Sequence, residues 1–499
     1  MLGKLAPPHP MSPNPHPDDE RLLRQLGYEQ ELSRRMSGFS NFAISLSIIC
    51  ILAGGITSFH VGLCSAGGAS IGLGWPLVCL FSLCVAGTMA QVASAFPTAG
   101  GLYHWGSILG GRACGWVTAW FNLAGLITVL AAINAGTYDF ATAAFGVSAE
   151  ANTATVRTTV IVLMTLSQGL LNHYGIHLTT RLTDLSGWLI LAVATVLTVA
   201  LLLATKQFEW ARLWTFTNFS GLPAGDNPTF PKQDNLMWLF ALGFLLPAYT
   251  ITGFDASAHT SEETVGAAVN VPKGIVRSVW VSGVFGWVMI CAILLAMPSV
   301  KEGVEQGANV VPWTMKAALP PALASVLLAL IIAAQYLCGL AALTSASRMT
   351  YAFARDGGLP FSEALRRVNP TSKSPSVAVW FAAIAAALFT ILVPYVTIAA
   401  VCVIFLYISY VLPVAAGFLA HGRTWTRMGP WQLGRLYRPL AVISTLGCLF
   451  LIVIGMQPPN EQAVKIVGGA VVLLLIVWFG LENRRFKGPP EACSVLRDS

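Results

Sequence analysis

Residues 38–59 read GFSNFAISLSIICILAGGITSF, and residues 245–264 read LLPAYTITGFDASAHTSEET. Each starts as a continuous apolar run and is then interrupted. Ala53-Gly54-Gly55-Ile56-Thr57 breaks the first, and Pro247 followed by Tyr249-Thr250-Ile251-Thr252-Gly253-Phe254-Asp255 breaks the second. Glycines in membrane helices ordinarily serve close packing, which is the reading for Gly67-Gly68 and Gly100-Gly101. Interrupted helices at corresponding places in two halves of a chain instead point to a binding site at the bilayer midplane. That reading requires the two broken runs to head two equal halves, so the runs around them must be counted.

Crossing the hydrocarbon takes about 20 apolar residues per helix. Working outward gives twelve runs: Phe39–Ala66, Leu73–Phe96, Ala113–Phe145, Thr158–Asn172, Leu182–Thr205, Leu236–Thr260, Ile275–Met297, Leu319–Phe353, Val377–Val393, Val396–Ala420, Leu440–Gln457 and Val464–Leu481. The broken runs are the first and the sixth, the heads of two sets of five. The fourth run is short, and the third and eighth are long, so tilt or irregularity is expected there. Continuous runs of this kind are helices, because lipid leaves an open strand edge unsatisfied. The chain divides into an N-terminal tail (1–38), largely disordered, a twelve-span domain (39–482) and a C-terminal tail (483–499).

Composition agrees. Hydrophobic residues make up 55% of the 499 and charged residues 10%, against roughly 25% charged in soluble domains, and mean hydropathy is +0.67. The net charge of +7 is topogenic. With the N-terminus inside, 22 of the 29 Lys and Arg fall in cytoplasmic segments and seven outside, so both termini are expected in the cytoplasm. The surface is expected to be lipid. No basic arm for nucleic acid is present, and no Walker A loop. The ten cysteines form no CxxC pair and read as packing residues. Asn218-Phe-Ser220 is a glycosylation sequon in an expected outside loop.

Membrane catalysis needs acids, bases or metal ligands gathered at one depth. His173 and His177 have a metal-binding spacing, but no carboxylate or cysteine joins them, and they read as interfacial residues. No enzyme activity and no cofactor are expected. The two breaks, by contrast, suit an amino acid. An unwound segment exposes amides at the start of the following half-helix, where the dipole favours a carboxylate, and freed carbonyls accept from an ammonium. Gly55→Leu is expected to abolish uptake while leaving expression largely intact, and Gly68→Ala to be far milder. Asp255 is the one carboxylate set well inside a run, where acids are functional by default. It also follows the break directly and is placed to cap the second half-helix, taken as Ser257 to Thr264. No basic partner for it stands out.

Four further stretches complete a pattern: AFPTAGGLYHW (Ala95–Trp105), VPKGIVRSV (Val271–Val279), SRMTYAFARDGGLPFS (Ser347–Ser362) and VNPTSKSP (Val368–Pro375). With the two broken runs they resemble, over about residues 27–483, the amino acid–polyamine–organocation superfamily, and most closely its amino acid/choline branch, which includes GABA permeases. The resemblance implies a LeuT-like fold of two inverted five-helix repeats, with runs 11 and 12 outside them. It implies a permease working by alternating access. The substrate carboxylate would meet Ala53, Gly54, Gly55 and Ile56, beside Thr57, and the ammonium the backbone of Tyr249, Thr252 and Gly253. Phe254 and Asp255 follow as gate and capping acid. Thr344 and Ser345 lie where related folds offer hydroxyls to sodium. Ala53 replaces the first glycine of the Gly-Ser-Gly common in relatives and Gly54 its serine, and Leu182–Thr205 lacks the lysine some relatives carry, so the coupling ion, proton or sodium, stays open. Within the class, choline or a polyamine is the alternative, with Phe254, Tyr249, Tyr407 and Trp120 as an aromatic cage. A non-transporting nutrient sensor is a third reading, disfavoured by tails of about 40 and 18 residues. The plasma membrane is the expected location.

Overall fold

The computed structural model describes residues 17–490, apart from 149, 226, 227 and 394. The expected disorder of residues 1–16, with His9 and His16, and the last residues of the C-terminal tail, with Cys493, lie outside the described residues. Among the described residues the chain is all-α, with two isolated backbone bridges and no sheet. Ten helices among the described residues are long and apolar enough to cross a membrane, and two shorter apolar stretches, Leu236–Thr250 and Ser376–Leu392, fall at the sixth and ninth runs. It is a multi-pass membrane protein.

In chain order, the first run is α1 (Gly38–Ile49), α2 (Gly54–Thr57) and α3 (Phe59–Ala66). The second is α4 (Trp75–Ala95), and α5 (Leu102–Gly110) lies in the following loop. Then come α6 (Arg112–Phe145), α7 (Ala154–His173) and α8 (Ile176–Ala204). The sixth run is α9 (Leu236–Gly243), α10 (Leu245–Thr250) and α11 (Ala256–His259). After it follow α12 (Ala267–Ala296), α13 (Pro321–Arg355), α14 (Ser376–Leu392), α15 (Tyr395–Ala420), α16 (Tyr437–Gly455) and α17 (Glu461–Val477).

Two expectations are corrected. The fourth run is not short, because α7 has 20 residues. Its N-cap Thr153 accepts from the Val156 amide, and Arg157 is paired with Asp139 at 2.9 and 3.0 Å. A neutralised arginine sits in the first turn at the membrane edge, where hydropathy alone ended the run. The second correction concerns residues 17–38, inside the tail expected to be largely disordered. They hold a helix, Pro17–Gln25, and bury Leu23, Leu26, Tyr28, Leu32 and Met36. The apolar residues are too sparse to read as a run, yet each meets the helix bundle.

The core forms around α1, α6, α13 and α15. α6 packs along both α15 and α13, α12 along α4 and α1, and α14 along α7. Close approach depends on small residues, as expected where lipid is as apolar as leucine. A Cβ on Gly339 would lie 2.4 Å from Gln168 Nε2 and 2.6 Å from Asn134 Oδ1. That space lets Asn134 and Gln168 join across helices at 2.8 Å. Gly68 is a packing glycine too, but not a mild one. A Cβ there would sit 1.6 Å from the Arg212 carbonyl oxygen, so Gly68→Ala displaces the loop that covers this end of the bundle. The nine described cysteines are free.

Candidate functional site

Both broken runs are broken in the structure, and the breaks touch. α1 ends at Ile49, and Cys50 (φ 27°) turns the chain through Ile51–Ala53 before helix resumes at Gly54. The interruption therefore precedes the glycines expected to form it. Gly54 and Gly55 open the second half, and the Gly54 amide donates back across the turn to the Cys50 carbonyl at 3.1 Å. Gly54 is glycine because its partner is backbone: a Cβ would lie 2.7 Å from the Thr250 Cα. Gly55 is different. A Cβ there meets only the side chains of Met289, Trp75 and Ile290 at 3.6–3.9 Å, ordinary contact distances. In the sixth run, α10 ends at Thr250 and helix returns at Ala256. Gly253, at φ +82°, has two reasons to be glycine, since a Cβ would also fall 2.3 Å from Ile48 Cγ2.

Where the breaks meet lies a cavity of about 70 Å³. Of the ten residues singled out in the sequence, it is lined by Ala53, Gly54, Thr57, Tyr249 and Thr252. Gly55 and Ile56 stand behind it, with Ile56 buried in the core. Gly253 and Phe254 also lie behind; Phe254 packs on Tyr410 with centroids 5.0 Å apart. The Gly253 carbonyl already accepts from the Ala256 amide at 3.1 Å.

Other helices add to the lining, among them Val129, Ile133 and Thr137 of α6, Gln335 and Cys338 of α13, and Ala399, Cys402 and Val403 of α15. Gln335 was legible as a lone amide in the middle of an apolar run. Its Nε2 donates to the Leu52 carbonyl at 3.0 Å, and its Oε1 has no partner among the described residues. Among the described residues no charged side chain lines the cavity.

Thr57, Ser58, Tyr249 and Ala399 also line a larger vestibule of about 650 Å³, which continues away from the face bearing the N-terminal helix. The other direction is closed by ions. Arg348 grips Glu263 at 2.9 and 3.0 Å, both fully buried. Arg355 holds Glu262 at 2.8 and 3.0 Å and lies 3.9 Å above the Tyr28 ring. Glu262 sits beyond the end of the sixth run. Burial alone would raise its carboxyl, but Arg355 and the Ala99 amide hold it below the usual carboxylate range. Asp356 accepts from Tyr28 at 2.8 Å and Tyr103 at 2.9 Å and lies 3.1 Å from His104. Arg35 and Met36 run beside Glu263 through two 2.8 Å backbone bonds. This closure by the loop after α4 and the tail before α1 was not read in the sequence.

Asp255 departs from its expected role. Its side chain makes no cap bond, and the half-helix is the four-residue α11, shorter than expected. The carboxylate instead accepts from Tyr410 at 2.7 Å and Asn122 at 3.0 Å and faces His259 Nε2 at 3.2 Å. The signal for His259 was present, since it lies one helical turn after Asp255 in the quoted stretch. Thr344 donates to Asn172 at 2.8 Å, towards the fourth run, whereas the Ser345 hydroxyl is buried without a partner among the described residues. The aromatic cage does not assemble. Only Tyr249 lines the cavity, Trp120 packs on Trp116 and Phe353, and Tyr407 on Tyr410. Trp380 donates to His173, and His177 pairs with Arg35. Asn218 bonds Ser220 and the Gln233 carbonyl.

Comparison with known proteins gives a consistent family. The family model described as amino acid permease matches residues 36–481. The amino-acid permease BAT1 of Arabidopsis thaliana is 31% identical over 502 residues, covering 94% of this chain and 95% of that protein. Its homolog in Oryza sativa is also 31% identical, covering 94% of each. The GABA-specific permease of Saccharomyces cerevisiae is 27% identical, over 95% of this chain and 86% of its own.

Proposed function

The chain belongs to the amino acid permease family, and on that premise we propose that it carries a small zwitterionic amino acid or GABA by alternating access across the plasma membrane. It is an amino acid transporter; the substrate, site and topology are the parts proposed. The observation that carries them is the uncharged cavity where the two breaks meet. A zwitterion brings its own opposite charges, which the positive dipole end of the half-helix that opens at Gly54 and the carbonyls around Tyr249 and Thr252 meet. A polyamine or choline would leave a net cation without a counter-charge there, and of the cage residues only Tyr249 reaches the cavity.

The architecture is read as twelve spans in two inverted sets of five. α4 packing on α12, α6 on α13 and α7 on α14 pairs equivalent members of the two sets and supports this reading. With the vestibule continuous with the cavity and the other side locked by ion pairs, this conformation is the one open to the outside. Uptake of labelled alanine, GABA, lysine, choline and putrescine into proteoliposomes tests the substrate. Alanine or GABA should be taken up well above empty vesicles. Uptake of lysine or putrescine in preference to both would refute the neutral-cavity argument.

Topology is tested by single cysteines in a cysteine-free background. Replacements of Arg366 and Arg427 should be shielded in intact cells, and a replacement of Glu302 should react. All three positions are exposed on the protein. Outside labelling of the Arg366 position would overturn the cytoplasmic assignment of the termini.

A further inference from the structure

We propose that Asp255 and His259 form a proton-binding pair that couples substrate movement to a proton gradient, an inference that rests on the transporter reading above. Both side chains are fully buried. His259 places Nε2 3.2 Å from Asp255 Oδ2 and Nδ1 3.3 Å from the Ala99 carbonyl oxygen. Both ring nitrogens therefore face acceptors. A neutral imidazole carries one N–H and serves only one of them. The geometry fits the imidazolium, which donates to both and balances the carboxylate. Without the extra proton the pair holds a net negative charge away from water, a state that requires hydration and therefore opening.

The surroundings single this pair out. α6 faces it with Asn122, which does not titrate. α15 faces it with Tyr410, whose ring centroid lies 5.8 Å from that of Tyr407, and with Ser409, which accepts from Asn122 at 3.3 Å. α1 meets the half-helix through Asn41 and Ser45. α13 brings Arg348 and Arg355, already engaged by Glu263 and Glu262. The loop after α4 brings His104, engaged by Asp356. Among the described residues Asp255 and His259 thus have only each other as charge partners.

A route from the pair to the substrate exists. The Tyr410 hydroxyl donates to Asp255 Oδ1 at 2.7 Å and accepts from the Gly253 amide at 3.0 Å. Protonation state is thereby tied to the unwound segment whose preceding residues line the cavity. The step itself is one proton: an N–H bond forms at His259 Nε2 at the expense of hydronium on the vestibule side, and the proton returns to water on the other side.

The full-length protein in proteoliposomes tests this, with alanine and GABA as probes. Wild-type uptake should rise severalfold under an inward proton gradient and carry protons detected by an internal pH dye. In His259→Gln, which keeps a donor but does not titrate, the ratio of uptake with and without the gradient should fall to unity; Asp255→Asn should do the same. Wild-type uptake indifferent to the gradient overturns the proposal, as does gradient stimulation surviving in both variants. Wild type moving neither probe would sink the substrate reading instead. The pair is then judged by nitrogen NMR of isotope-labelled histidine in lipid. A doubly protonated imidazole that disappears in Asp255→Asn supports the pair, and only neutral imidazoles refute it.

Discussion

Gly54→Ala is expected to abolish uptake, while Gly55→Ala keeps most of it. A Cβ at 54 would lie 2.7 Å from the Thr250 Cα and 2.9 Å from its hydroxyl. The first of these is backbone in the other broken run, and no rotamer change relieves it. The methyl forces the two breaks apart at the cavity they line together. Overpacking of this kind costs about 1–3 kcal/mol, which removes roughly ten- to hundredfold of the population of the competent geometry. At 55 the added methyl meets side chains at 3.6 Å or more and leaves the amide in place. From sequence Gly55 was set against Gly68 alone, and the contact with Thr250 that singles out Gly54 is visible only in the fold. Initial uptake rates at matched surface expression decide it, and equal losses at both positions would show that the contact with Thr250 has no special part.

Glu263→Gln should be the most destabilising single change at the closed face. It leaves the Arg348 guanidinium fully buried, with a neutral amide where a bidentate carboxylate had been. Breaking a buried pair by removing one partner costs about 3–5 kcal/mol. Glu363→Gln is the control. Its partner Arg366 is 47% exposed and Glu363 itself 81%, so that loss is worth about 0–1 kcal/mol. Apparent melting temperature of the purified protein and the monodisperse fraction on sizing should drop for Glu263→Gln and barely move for Glu363→Gln. The double change Glu263→Gln with Arg348→Met should recover part of the loss, because no unpaired charge remains. Similar melting for the two single variants would remove the lock from the stability of this conformation.

Asp255 shows how far the local reading reached. Its depth in an apolar run marked it as unusual, and its place after a break suggested a cap. Both inferences use neighbours a few residues away. Its true partners include Asn122 and Tyr410, 133 and 155 positions distant. Only His259 was within reach of a helical-spacing argument, and the irregular backbone around it hid that spacing.

Hydropathy and charge along the chain determined that this protein lies in the membrane, how many apolar runs it has and roughly where they fall, and that the first and sixth are interrupted. Those properties follow from a bilayer that admits only long apolar helices and from backbone preferences of glycine and proline, all of which act locally. Tertiary structure decided the rest: that Gly54 and not Gly55 abuts the opposite break, that the cavity has no charge, that Gln335 looks into it, and that tail, loop and helix end close one face with buried ion pairs. These depend on which residues meet across hundreds of positions, and in lipid, where every helix surface is equally apolar, hydrophobic pattern does not specify the partner. Shape and hydrogen bonding do, and they exist only once the helices are packed.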